Sequence, residues 1–215
     1  MNKLRKKYEQ QLRTLHDGLI QMGALCEESI ASAAKALIHG DDAMRRKAIA
    51  LEQEINLAEH ELGQQCVRLL LLQQPMAGDL RHITAAQRMM SNLERVGDQA
   101  ADIAEISEYM KNSSVKSDIH IAEMAKVVRK MLTLSIDAFV KKDIELAEAV
   151  IKQDDLVDDL FLKIKTELVE YLIRDNSNVQ DCLDLLMVAK YFERIGDHAE
   201  NIAECVMYYL TGEIK

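Results

Sequence analysis

Carboxylates recur at one-turn spacing in two places along this 215-residue chain. In "LERVGDQAADIAE" (93–105) the acids are Glu94, Asp98, Asp102 and Glu105. A helix turns about 100° per residue. With Glu94 at zero, Glu105 falls at about 20°, Asp98 at about 40° and Asp102 at about 80°, so all four share one side. Ninety-nine positions on, "FERIGDHAENIAE" (192–204) repeats eight of the thirteen residues. Glu193, Asp197, Glu200 and Glu204 cluster there in the same way, with Asn201 in place of Asp102. Like charges one turn apart cost an isolated helix a few tenths of a kcal/mol per pair. Gly97 and Gly196 each cost up to about 1 kcal/mol relative to alanine. Both copies keep these unfavourable choices, so something outside the helix must compensate.

A bound cation would do so, because carboxylates are hard oxygen ligands and two of them one turn apart can reach one ion or bridge two. Partners exist on the preceding helices: Asp154 and Asp158 form D-x-x-x-D, and Glu52 with Asn56 is the first-copy counterpart. Pairing E-x-x-x-D with D-x-x-x-D supplies four oxygen-bearing side chains, enough for a multinuclear site. The competing explanations are a solvated acidic face and, for the glycines, tight helix packing. A solvated face has no reason to repeat residue by residue. Arg95 and Arg194 read as ion-pair partners of these acids. His198 is matched by Gln99, which places it outside the shared plan and predicts a surface histidine. His16, His39, His60, His82 and His120 form no ligand spacing.

The elements that must position these groups are helices. One proline, no tryptophan, eight glycines and an abundance of Ala, Leu, Glu, Lys and Met predict an all-α fold. Tyr8, Leu12, Leu15, Leu19, Met22, Cys26, Ile30, Ala33 and Leu37 recur every three or four residues, the stripe of a long first helix. It ends at "HGDD", with Gly40 as a left-handed cap and Asp41 or Asp42 capping the next helix. The second helix runs to about Gln73, where "QQPMAGD" stops it, and Asp79 then caps the third. After a polar linker, "KNSSVKSD" (111–118), the plan restarts: residues 36–56 align with 138–158 at an offset of 102. By the third helix the offset is 99, so the second copy has lost about three residues, assigned to the proline loop and its shorter counterpart "RDNSN". Asn178 stands where Asp79 stood. Two tandem, pseudo-symmetric three-helix bundles follow, residues 1–112 and 117–215.

A formal net charge of −9 argues against nucleic acid as the main partner, since phosphate binding needs a basic footprint. Cys26, Cys66, Cys182 and Cys205 fall at apolar-periodic positions without C-x-x-C spacing, which predicts reduced core thiols in a cytosolic protein. "MNKLRKKYEQ" turns polar where a secretory h-region would begin, and no 18-residue window is free of charge and apolar throughout. A cytoplasmic chain is expected.

These residues resemble the PhoU family of bacterial phosphate-transport and phosphate-signalling regulators. The likeness rests on "QQPMAGDLR", on the twin E-R-x-G-D phrases, and on "EQEIN" and "DDLVD", and covers nearly the whole chain in order. It implies two three-helix bundles, a homodimer, and multinuclear clusters of iron or zinc, with manganese or magnesium as further hard-cation candidates. Carried over, the ligands are Glu94 with Asp98 and Glu193 with Asp197, faced by Glu52 and by Asp154 with Asp158. Asp102 joins the candidate set from the acidic stripe itself. Asn56 in place of an acid implies weaker binding at the first site. The second copy has no equivalent of the Leu80-Arg81 stretch. The resemblance further implies a negative regulator without catalytic activity, docking between the ATPase of a phosphate ABC transporter and a membrane sensor histidine kinase. It would then meet the inner membrane only through those proteins.

Two other readings compete. A ferritin-like di-metal enzyme would place E-x-x-H on two helices, and the nearest sequence is a single Asp79-Leu-Arg-His82. A metal-free helical adaptor would need only solvated acidic faces.

Overall fold

The computed structural model describes residues 3–72, 75–113, 115 and 119–213. Among them the regular elements are six long helices, with a 3₁₀ turn at Asn176–Asn178 and no strand. They are α1 (Lys3–His39), α2 (Asp42–Leu72), α3 (Ala77–Ser107), α4 (Ile121–Lys141), α5 (Ile144–Arg174) and α6 (Val179–Thr211). The first three pack on one another, as do the last three, and the bundles meet where α3 lies on α6 and α1 on α4.

Every residue of the α1 stripe from Tyr8 to Leu37 is buried. The core does not stop at either bundle. Leu93, Val96, Ala100 and Ile103 on α3 belong to the same continuous buried cluster as Phe192, Ile195, Ala199 and Ile202 on α6. All four cysteines are unpaired and buried, and the Cys26 thiol donates to the Leu93 carbonyl. Val115 and Ile119 are also buried, so apolar residues anchor the chain between the bundles; Ser114 and residues 116–118 of the expected linker lie outside the described residues.

The turn between the first two helices of each bundle is built twice. Gly40 has φ +66°, the left-handed conformation expected of a glycine cap. Asp41 Oδ1 accepts from the backbone N–H groups of Ala43 and Met44 at 2.9 and 3.1 Å. In the second copy Lys142 takes the left-handed position, φ 54°, and Asp143 Oδ1 accepts from the Leu146 N–H at 3.0 Å.

Three expected details are corrected. Asp79 does not cap α3: the helix opens three residues earlier than that cap would give, Met76 stands at the cap position without a side-chain bond, and Asp79 lies in the first turn. There its carboxylate favours the positive helix end and accepts from Arg5 Nη1 at 2.9 Å, tying the starts of α1 and α3 together. Asn178 precedes α6 but donates instead to the Tyr171 hydroxyl, Asp175 and Ser177, because the stronger acceptor Asp175 organises that turn. The three residues missing from the second copy are also not loop. α6 opens at Val179, the counterpart of Leu80, so the difference is one helical turn, Ala77–Asp79, and the Leu80-Arg81 stretch, expected to have no equivalent, is matched in position by Val179-Gln180. Gln73 and Gln74, where α2 was expected to end, lie outside the described residues. Arg81 lies with its guanidinium against Gly212, just past the end of α6, where a cation meets the negative helix terminus.

Candidate metal centres

In the second bundle α5 and α6 bring Asp154 and Asp158 opposite Glu193, Asp197 and Glu200. The Asp154 carboxyl is pushed up to about 7, first by burial and then by Glu200, Asp197, Asp158 and Glu193. Asp197 is raised by burial and by Glu193, with Lys190 and Arg194 opposing. Glu200 is raised by burial, Glu204, Asp197 and the α5 acids Asp155 and Asp158. Lys190 pairs with Glu193 Oε1, while Glu193 Oε2 is buried with no hydrogen-bond partner among the described residues. Five carboxylates thus meet one contacting cation. Gly196 makes the approach possible: a Cβ there would stand 3.1 Å from Val157 Cγ1 and 3.3 Å from Asp154 Oδ1. The glycine serves helix packing and carboxylate placement together.

The first bundle is better neutralised. Burial raises the Glu94 carboxyl, followed by Asp98, with Glu59 and Glu52 adding to it and Arg95 opposing. Arg95 reaches both Glu94 (3.4 Å) and Asp98 (3.3 Å), the ion pairing expected of it. Asn56 donates its amide to Glu52 Oε1 and leaves its own Oδ1 buried without a partner. A Cβ on Gly97 would meet Ile55 at 3.0 Å, so this glycine is a packing residue alone.

Asp102 is grouped differently. It is hydrogen-bonded to Tyr191 on α6 and raised by burial, Glu105 and Asp98, with Arg194 opposing. It lines a polar cleft of about 340 Å³ with Arg45, Glu105, Glu108, Tyr109 and Tyr191, instead of facing Glu52 and Glu59. Arg194 lies 6.0 Å from the Tyr191 ring centroid, and its charge also acts on Asp102 and Asp197.

As placed, no three His, Cys, Asp or Glu side chains among the described residues stand close enough to hold one metal ion. The donor set nonetheless fits a hard cation: it is all oxygen, drawn from facing helices, with more carboxylate than nearby cation and a buried Glu193 oxygen lacking a partner.

Glu59 was missed by sequence reasoning, although it lies seven residues after Glu52 and therefore on the same helix face. Glu200 was read as part of the stripe but not as facing Asp154. His198 is not a surface histidine. It lies half-buried in the α3–α6 seam, where Nδ1 meets Asn92 Oδ1 at 2.9 Å and burial, with Arg95 and Arg194, lowers its pKa. Its counterpart Gln99 is buried in the same seam, because pseudo-symmetry turns the same position of both helices inward. His16 and His82, 66 residues apart in sequence, meet with ring centroids 6.2 Å apart beside Phe139 and Tyr209. No spacing could have shown this, since the four rings come from four helices.

Comparison with known proteins agrees with the all-helical fold. The family model for the PhoU domain matches twice, over residues 19–107 and 121–206. Phosphate-specific transport system accessory protein PhoU homologs match nearly end to end. That of Pseudomonas aeruginosa is 32% identical over 96% of this chain and 86% of its own length. Those of Caulobacter vibrioides (34%; 97% and 91%) and Clostridium acetobutylicum (36%; 97% and 96%) are similar. The crystal structure of PhoU from P. aeruginosa superposes with a TM-score of 0.91 at 31% identity, covering 96% of this chain and 100% of that one. The phosphate transport system regulatory protein PhoU from Streptococcus pneumoniae gives 0.89 at 26% identity, covering 97% and 99%. With the duplicated phrase, the six-helix fold and both domain matches in register, the chain belongs to the PhoU family.

Proposed function

We propose that this protein is an accessory regulator of phosphate-specific transport that restrains uptake and silences the phosphate-starvation response when phosphate is plentiful. It works by docking, between the ATPase of a phosphate ABC transporter and a membrane sensor histidine kinase, and as a homodimer. The observation that carries this reading is the end-to-end likeness to proteins named as accessories of phosphate transport. One further fact agrees with it: no helix among the described residues is long and apolar enough to cross a membrane.

In the same proposal Asp154, Asp158, Glu193 and Asp197 hold cations in the second bundle, and Glu52, Glu94 and Asp98 do so more weakly in the first. A bound cation would neutralise the crowded carboxylates and stabilise the native state by mass action. Because no three side chains converge as placed, the metal-free adaptor remains the second reading. Elemental analysis of chelator-free protein separates the two: metal lost on Glu193→Ala plus Asp197→Ala assigns the second site, and metal content indifferent to those changes rejects it.

The regulatory role is tested by a phosphatase reporter in the source bacterium under excess phosphate. Deleting the gene is expected to raise output and the intact gene to silence it again. Output unchanged by deletion would overturn the role.

A further inference from the structure

Where α1 lies on α4, the bundles leave an open groove of about 610 Å³. Its floor is apolar and shallow-sided: Ile30, Ala34 and Ile38 from α1, with Ala122, Ala125 and Leu134 from α4. Its rim is basic. Lys35, Lys126, Arg129 and Lys130 are all exposed, none joins an ion pair among the described residues, and no carboxylate is among the lining residues. Four unpaired cations gathered around one apolar groove stand out on a chain whose net charge is −9. The repeat does not explain them, because the groove belongs to the seam between the bundles.

The groove's dimensions and chemistry select an occupant. Ile30 to Ile38 spans about 12 Å of helix and Ala122 to Leu134 about 18 Å, the length of two to three helical turns. Alanines in the floor let another backbone approach to ordinary helix-packing distance. A helix with apolar residues at i, i+3 or i+4 and i+7 would fill the floor, and acidic residues flanking that stripe would meet the rim cations and set its orientation. A bilayer is poorly matched: membrane-seated faces project their apolar residues, whereas here the apolar floor lies below the charged rim. We propose that the α1–α4 groove is the docking seat for an acidic amphipathic helix of a partner protein. This rests on the reading of the chain as a docking regulator and names a surface through which it docks.

The test uses the intact chain and two labelled probes of known composition. One is a helix-forming peptide with leucine every third or fourth position and glutamate between; the other carries lysine in place of each glutamate. Fluorescence anisotropy is expected to show the glutamate peptide bound about tenfold more tightly, with the preference shrinking as salt rises past a Debye length of about 8 Å. Lys126→Glu with Arg129→Glu, both on the surface, leaves two cations facing two anions on the rim and should abolish the preference. Ala122→Trp should weaken both probes by filling the floor, with circular dichroism confirming that each variant is folded. Equal binding of the two peptides, or binding of the glutamate peptide unchanged by the charge reversal, overturns the proposal. So does retention on vesicles containing phosphatidylglycerol that the charge reversal abolishes while the peptides go unbound, or a dimer in sedimentation that Ala122→Trp dissociates; these assign the groove to a lipid surface or to a second copy. Because the readout is binding in vitro, failure here leaves a positive deletion phenotype standing, and a negative phenotype leaves peptide binding intact.

Discussion

At the scale of single residues, Asp154 and His82 are two side chains whose ionisation the fold opposes in different ways. Asp154 titrates near 7 in the fold against an ordinary 3.8, so its contribution to stability is complete below the ordinary value and is lost as pH rises through about 7. In chelator-treated protein, Asp154→Asn is therefore expected to raise the melting temperature by a few degrees at pH 8 and to change it little at pH 4, read by calorimetry. A variant that melts with the same difference at both pH values would show that the acids do not repel one another as placed. His82 behaves in the opposite sense. Burial, His16 and Lys142 lower it to about 4 from 6.5, so its contribution is complete above 6.5 and is lost as pH falls toward 4. Its Nε2 is buried without a partner. His82→Phe, which keeps a ring against Tyr209 at a site where the centroids lie 4.9 Å apart, should lose less stability than the parent between pH 7 and 4.5. Parallel curves for the two proteins would contradict this.

At the scale of elements, the duplicated turn invites a matched pair of substitutions. Gly40 sits at φ +66° with its nearest neighbours at 3.8 Å, so an alanine there meets no clash and only the backbone objects. Gly40→Ala should cost about 1 kcal/mol in urea unfolding. Lys142 already bears that cost at φ 54°. Replacing it with glycine relieves about 1 kcal/mol of strain. It also frees the unfolded chain and removes the ammonium 5.8 Å from the Tyr209 ring, effects of about 0.5 kcal/mol each. Lys142→Gly is thus expected to be close to neutral. A gain of about 0.5 kcal/mol from Lys142→Gly would mean that the Tyr209 contact contributes nothing.

At the scale of the whole molecule, the two repeats are joined more by their shared core than by the chain between them. Phe192, Ile195 and Ile202 on α6 are fully buried and α3 packs along that helix. A protease site introduced between Ser113 and Ile119 and cleaved in the folded protein should leave both halves co-eluting in gel filtration, and separating only in denaturant. Halves that part under native conditions would show the bundles to be independent.

By itself the sequence determined the elements and their duplication. Helix periodicity is local, written in residues three and four apart, which is why the α1 stripe, the Gly40–Asp41 turn and the shared faces of Glu94 with Asp98 and Glu193 with Asp197 were legible. Helix boundaries were less so: α3 starts three residues before the position that Asp79, a good cap by type, predicts, because Arg5, 74 residues away, holds that carboxylate instead. Only the tertiary structure decided what each face meets. It sent Asp102 to Tyr191, brought Glu59 and Glu200 toward the acid groups, drew His198 into the α3–α6 seam and gathered His16 and His82 from separate helices. The physical reason is that rotation about a helix axis is set by neighbours far along the chain, so spacing shows which residues share a face but not which helix that face will touch.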